Sequence, residues 1–135
     1  MAYLSPKIKV LVADDSALMR RILSDVINSD PRLEVVATAK NGKEAYNKVL
    51  SLKPDVVTMD IEMPEMDGLE TTRLIRSQLG MKDVPIVAMT ALAMAGDRER
   101  CLQAGMNEYL SKPVKLGDLL HTIETQLTLA KRGKQ

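Results

Sequence analysis

Five short aliphatic runs recur along this chain, and four of them stop at a polar residue. Ile8–Ala13 ends at Asp14-Asp15, Val56–Met59 at Asp60, Ile86–Met89 at Thr90, and Tyr109–Ser111 at Lys112. The remaining run spans Glu34–Ala39. Most are nearly unbroken rather than alternating. That pattern suits parallel strands covered on both faces, because a strand with one wet face alternates apolar and polar residues. If the runs are parallel, their polar ends meet at one edge of one sheet.

The intervening segments read as helices. In 16–29, Leu18, Ile22 and Val26 repeat every four residues and form an apolar stripe. Asn41-Gly42 can open a helix that runs to about Leu52, where Pro54 prevents continuation. The turn Met63-Pro64-Glu65-Met66-Asp67-Gly68 precedes a helix over 69–79. A helix over 95–104 ends at Gly105, a suitable C-terminal cap. In 115–130, Leu116, Leu119, Leu120, Ile123 and Leu127 line a core-facing stripe, and the tail 131–135 is expected to fray. A fivefold βα alternation predicts an α/β fold: a doubly wound, parallel, five-stranded open sheet in three layers with right-handed crossovers. In such folds the functional site lies beyond the carboxyl ends of the strands, at the switch point.

Composition bounds the rest. The 135 residues fit one domain, with no repeat or linker. With three Tyr and no Phe or Trp, the core must be aliphatic, with some of the nine Met filling gaps. A net charge of +1 favours neither nucleic acid nor an anionic membrane. The single Cys101 excludes an internal disulfide framework and fits a reducing compartment. No apolar run reaches membrane-spanning length, and Met1–Pro6 lacks the apolar core of a signal peptide. A soluble, cytoplasmic chain is expected.

Asp14, Asp15 and Asp60 held together repel one another at neutral pH, and such a cluster persists when a cation neutralises it. Carboxylates without His or Cys suit magnesium, which keeps several waters and leaves room for phosphoryl oxygens. A carboxylate at a strand end can attack phosphorus. Asp60 is the best nucleophile, because it follows the most apolar central run and precedes a Pro-containing loop. Lys112 and the metal would balance charge developing on the phosphoryl oxygens, and Thr90 could donate to one of them.

The ordered set Asp14-Asp15, Asp60 before Ile61-Glu62-Met63-Pro64, Asp67-Gly68, Thr90-Ala91 and Lys112-Pro113 resembles the receiver domain of two-component response regulators. The resemblance covers about 7–127 and makes the whole chain, 1–135, one receiver domain. It implies a flavodoxin-like receiver fold with strand order 2-1-3-4-5. It implies that Asp60 accepts a phosphoryl group from a phosphohistidine on a sensor histidine kinase or phosphotransfer protein. Asp15, Asp60 and the Glu62 backbone carbonyl would ligate magnesium, with Asp14 acting largely through water, and Lys112 would contact the phosphoryl group. Thr90 and Tyr109 would form a switch pair that reshapes the surface of the fourth helix, fifth strand and fifth helix for an effector. The Lys112-Pro113 bond is expected to be cis. Such a chain is a signalling switch rather than a turnover enzyme, catalysing only its own phosphotransfer and dephosphorylation. It needs no direct nucleic-acid or membrane contact and works as a monomer or weak dimer.

Up to about Glu70 the chain is similar to receivers of chemotaxis methylesterases, and from about Val84 to receivers of hybrid histidine kinases. No methylesterase domain follows within the 135 residues, so output is expected to run through a partner, or the chain is an excised domain. Mosaic ancestry would explain the two halves. In the family the positions two beyond the acceptor and two beyond the Thr tune hydrolysis of the phosphoaspartate. Here they are Glu62 and Leu92. Apolar Leu92 is expected to hinder water and Glu62 to give it little guidance, so that the phosphorylated state lasts fairly long.

Other readings compete. Asp14 and Asp15 can simply cap the first helix, and Asp67-Gly68 reads as turn chemistry. A magnesium-dependent phosphatase with an Asp nucleophile commonly has a second acid two residues on, and here Glu62 stands there, but no cap domain encloses a substrate. A flavin binder would need a Ser/Thr/Gly-rich loop after the first strand, and aromatic residues. A receiver fold used only as a docking scaffold would not need the acceptor set. The lone His121 is expected near solvent, Cys101 as a filler, and Met59, Met63 and Met89 in packing.

Overall fold

The computed structural model describes residues 6–91 and 94–133, with side chains to 130. In chain order the elements are β1 (Ile8–Ala13), α1 (Ala17–Asn28), β2 (Leu33–Ala39), α2 (Gly42–Leu52), β3 (Val56–Asp60), α3 (Gly68–Ser77), β4 (Ile86–Thr90), α4 (Asp97–Ala104), β5 (Glu108–Ser111) and α5 (Leu116–Gly133). The strands form one sheet in the order β2-β1-β3-β4-β5, with every pairing parallel. The chain steps outward from β1 to β2, then returns to the other side of β1 with β3. That reversal opens a crevice between the carboxyl ends of β1 and β3.

The near-continuous runs conceal a two-sided burial. Leu11, Ala13, Val57, Met59, Ile86 and Ala88 join one core cluster with α2, α3 and α4 residues. Val10, Val12, Val56, Val87 and Met89 join the other with Leu23, Ile27, Leu119 and Ile123. Successive strand residues thus alternate between two dry layers, which is why no polar alternation is visible in the sequence.

The expected stripe on α1 is corrected. Leu18 is 67% and Ile22 43% exposed, whereas Leu23 and Ile27 are buried. Both this stripe and the one that is covered fit within about 100° of arc on a helix of 3.6 residues per turn, so spacing does not choose between them. The mixed spacing Met19, Leu23, Val26, Ile27 stays on one face, and those residues pack on β1 and β3. On α5, Leu119 and Ile123 are fully buried and Leu120 and Leu127 pack at the margin, but Leu116 is 40% exposed. Helix α4 begins two residues later than expected, because Gly96 at φ 85° turns the chain immediately before it.

Three side chains cap helices as their chemistry suggests: Ser16 accepts from Met19 N, Asn41 from Glu44 N and Asp67 from Glu70 N. Two glycines set how closely α2, α3 and β3 approach. A Cβ on Gly42 would lie 2.2 Å from Thr71 Oγ1 and 2.3 Å from the Met66 carbonyl oxygen. A Cβ on Gly68 would lie 2.3 Å from the Asp60 carbonyl oxygen. The guanidinium of Arg76, at the end of α3, donates to the carbonyls of Met81 (3.0 Å), Val84 (2.7 Å) and Gly105 (2.9 Å), and to Asn107 Oδ1 (2.8 Å). It ties the end of α3 to the starts of β4 and β5. No helix among the described residues is long and apolar enough to cross a membrane.

Candidate functional site

Parallel register brings the polar strand ends level. Ala13 lies opposite Met59, Asp60 opposite Met89, and Thr90 opposite Ser111. The residues that follow β1 and β5, and those that close β3 and β4, therefore converge on one edge. Asp14 is 0%, Asp60 2% and Thr90 1% exposed, whereas Asp15 faces solvent.

Each carboxylate of Asp14, Asp15 and Asp60 offers an oxygen within 4.8 Å of the other two. Asp14 Oδ1 accepts from Ser16 N at 2.9 Å, and Oδ2 from Lys112 Nζ at 2.7 Å. The Asp14 carbonyl accepts from Arg20 Nη1 at 2.9 Å, which fixes the loop carrying the acidic pair. Asp60 Oδ1 accepts from Glu62 N at 3.2 Å and lies 3.6 Å from Lys112 Nζ. The Lys112-Pro113 peptide bond after β5 is cis.

Burial first, and then the Asp14 charge, push the Asp60 carboxyl up to about 7, against the opposing pull of Lys112. Burial alone would lower the Lys112 ammonium. The hydrogen bond to Asp14 and the charge of Asp60 outweigh it, so Lys112 is raised and stays charged. The cluster therefore carries more negative charge than one ammonium balances. Its donors are all oxygens, a set that fits a hard divalent cation such as magnesium.

Two findings were not legible beforehand. The Glu62 carboxylate reaches across to β4, where Oε2 accepts from Thr90 Oγ1 at 2.8 Å and Oε1 from Ala91 N at 3.1 Å. An acid two residues after a strand signals only its loop, not its reach. Tyr109 pairs with Ala88, which shares a strand face with Thr90. Its ring packs on the α2–α4 side of the core, and its hydroxyl is buried without a hydrogen-bond partner among the described residues. Leu92 lies outside the described residues. His121 is exposed on α5, Cys101 is buried, and Met59, Met63 and Met89 are packing residues.

Beside the acids lies a cleft of about 580 Å³. Asp15, Asp60 and Lys112 line one end, and Ile22, Pro113 and Val114 the apolar flank.

A family model described as "Response regulator receiver domain" matches residues 10–124. A protein-glutamate methylesterase/protein-glutamine glutaminase from Nocardioides sp. is 47% identical over 121 residues, 88% of this chain but 32% of that protein. The chain thus spans about a third of the length of such relatives. The response regulator domain of Thermotoga maritima CheB superposes with a TM-score of 0.82 at 36% identity, covering 91% of this chain and 98% of that one. A chain of the CheX-CheY-BeF3-Mg+2 complex from Borrelia burgdorferi gives a TM-score of 0.80 at 28% identity, covering 87% of each chain.

Proposed function

This chain belongs to the response regulator receiver domain family, and from that premise we propose that Asp60 is its phosphoryl acceptor in a magnesium-dependent signalling switch. The observation that carries the reading is the setting of Asp60. It is a buried carboxylate at the end of a central strand, grouped with Asp14 and Asp15 and 3.6 Å from the Lys112 ammonium.

The donor is a phosphohistidine on a histidine kinase or phosphotransfer protein. An Asp60 oxygen attacks phosphorus, a P–O bond forms, the P–N bond breaks, and the imidazole nitrogen keeps the electron pair. Asp15, Asp60 and the Glu62 backbone carbonyl are the residues that would hold magnesium, with Asp14 acting through water. The bound ion supplies charge neutralisation for the phosphoryl oxygens. Lys112 adds a second positive charge on the same side, and Thr90 supplies a hydroxyl donor.

The exposed apolar flank beside the acids, with Ile22 at 43% exposure, suits the docking of an apolar helix of the donor protein. Thr90 and Tyr109 form the switch pair, and the α4–β5–α5 face is the surface an effector reads. Residues 1–135 act as one receiver domain in the cytoplasm, and the catalysis of that domain is its own phosphotransfer and dephosphorylation. Two features of the relatives support this reading: the CheB response regulator domain matched here, and the CheY complex holding BeF3 and Mg.

The test is labelling with acetyl phosphate and magnesium, read on a phosphate-retarding gel beside Asp60→Asn. A magnesium-dependent shift that the variant lacks is expected. An unshifted wild-type band would leave the fold serving as a docking scaffold.

A further inference from the structure

Glu62 bridges two parts of the site. Its backbone N–H donates to Asp60 Oδ1, while its carboxylate takes the Thr90 hydroxyl at 2.8 Å and the Ala91 N–H at 3.1 Å. We propose that the Glu62 carboxylate is an internal ligand that occupies the Thr90 and Ala91 donors and must be displaced before a phosphoryl group on Asp60 can use them. This inference rests on the phosphoacceptor reading of Asp60.

Chemistry and geometry support the competition. A carboxylate and a phosphoryl group both present oxygen anions to the same donors, a hydroxyl and a backbone amide. One Thr hydroxyl has a single proton to give, so it serves one acceptor at a time. The two oxygens of Glu62 fill both donors at once. Glu62 is also exposed. Its carboxylate can swing into water without leaving a buried charge behind, so the latch opens at the cost of two hydrogen bonds and not of a desolvated ion. While it is closed, its negative charge stands beside an acidic cluster and opposes the arrival of a further anion.

A closed latch also ties the end of β4 to the loop after β3. Thr90 is thereby held by the unphosphorylated protein at the position from which it must be handed over. Residue 62 then sets the rate of loading, in addition to any effect on the lifetime of the product.

Two measurements on the full chain test the proposal, with Glu62→Ala, Glu62→Gln and Asp60→Asn beside wild type. The first is hydrogen exchange of the Ala91 amide in metal-free, unphosphorylated protein. Glu62→Ala is expected to speed that exchange about tenfold or more, with Glu62→Gln between, because Gln keeps one acceptor oxygen. The second is the rate of labelling by acetyl phosphate at fixed magnesium. Glu62→Ala is expected to label about fivefold faster than wild type, with Glu62→Gln again between. Unchanged Ala91 exchange in Glu62→Ala would overturn the latch. Labelling of Glu62→Ala at the wild-type rate or slower would overturn the competition while leaving Asp60 as acceptor. Labelling of none of the proteins would instead remove the phosphoacceptor reading, and the competition with it.

Discussion

Lys112 Nζ stands 2.7 Å from Asp14 Oδ2, joining residues 98 apart in sequence through side chains that are 12% and 0% exposed. The same ammonium lies 3.6 Å from Asp60 Oδ1, and among the described residues it is the cation of every ion pair that Asp14 and Asp60 make.

Removing that ammonium leaves buried carboxylates uncompensated. Lys112→Met should lower stability by about 3 kcal/mol in chelator, judged by urea unfolding. Magnesium should recover part of the loss, because a cation bound to the acids replaces the missing charge. An equal loss with and without magnesium would count against a cation site at these acids.

The elevated Asp60 carboxyl makes stability depend on pH. Unfolded, it titrates near 3.8, and folded near 7. Between these values the folded protein holds a proton that the unfolded chain has released. The group's contribution is therefore fully present below about pH 4 and is lost as pH rises through 7. In metal-free buffer at pH 8, Asp60→Asn should exceed wild type by about 2 kcal/mol, a gap that closes towards pH 4. Magnesium should narrow it at pH 8 by favouring the ionised carboxylate. Parallel melting curves across this range would refute the assignment.

Arg76 is a structural tie. Burial lowers its guanidinium from the usual value, yet three carbonyls and the Asn107 side chain accept from it. Arg76→Met should cost about 3 kcal/mol, because acceptors in a partly buried pocket lose their donor. Arg76→Lys should recover little, since one ammonium cannot match the spread of a planar fork. Thermal unfolding of the two variants checks both statements.

Gly42 marks the closest approach of α2 to the loop before α3. Gly42→Ala, normally a favourable change inside a helix, should here destabilise by about 2 kcal/mol. The added methyl meets the Met66 carbonyl oxygen at 2.3 Å, and a backbone atom cannot rotate aside. A rise in melting temperature for this variant would show that the α2–α3 contact is looser than described.

The strands were the most legible part of the fold. Parallel strands buried on both faces must be aliphatic throughout, so β1, β3 and β4 stand out without any partner information. Their shared polarity brings Asp14, Asp60, Thr90 and Lys112 to one edge whatever the exact register. Helix faces were harder to read. Leu18 and Ile22 are as apolar as Leu23 and Ile27, and only the angle at which α1 lies on β1 decides which pair is covered. The Glu62–Thr90 contact was beyond reach for another reason. It depends on how a loop folds back over a neighbouring strand, and a loop acid carries no pattern that shows where its side chain goes. Arg76 was hidden likewise, as one of many helix cations with nothing in sequence to mark four acceptors waiting around it.

All three acids precede their ammonium in the sequence, and that has a consequence for synthesis. A growing polypeptide that has made only β1, β2 and β3 already carries Asp14, Asp15 and Asp60, but Lys112 is still to be translated. Until β5 joins the sheet edge beside β4, the carboxylates have only water and borrowed cations to face. The strand that completes the sheet also delivers the missing charge, so a nascent chain that stops short of β5 holds its buried carboxylates without the ammonium that pairs with them in the folded domain.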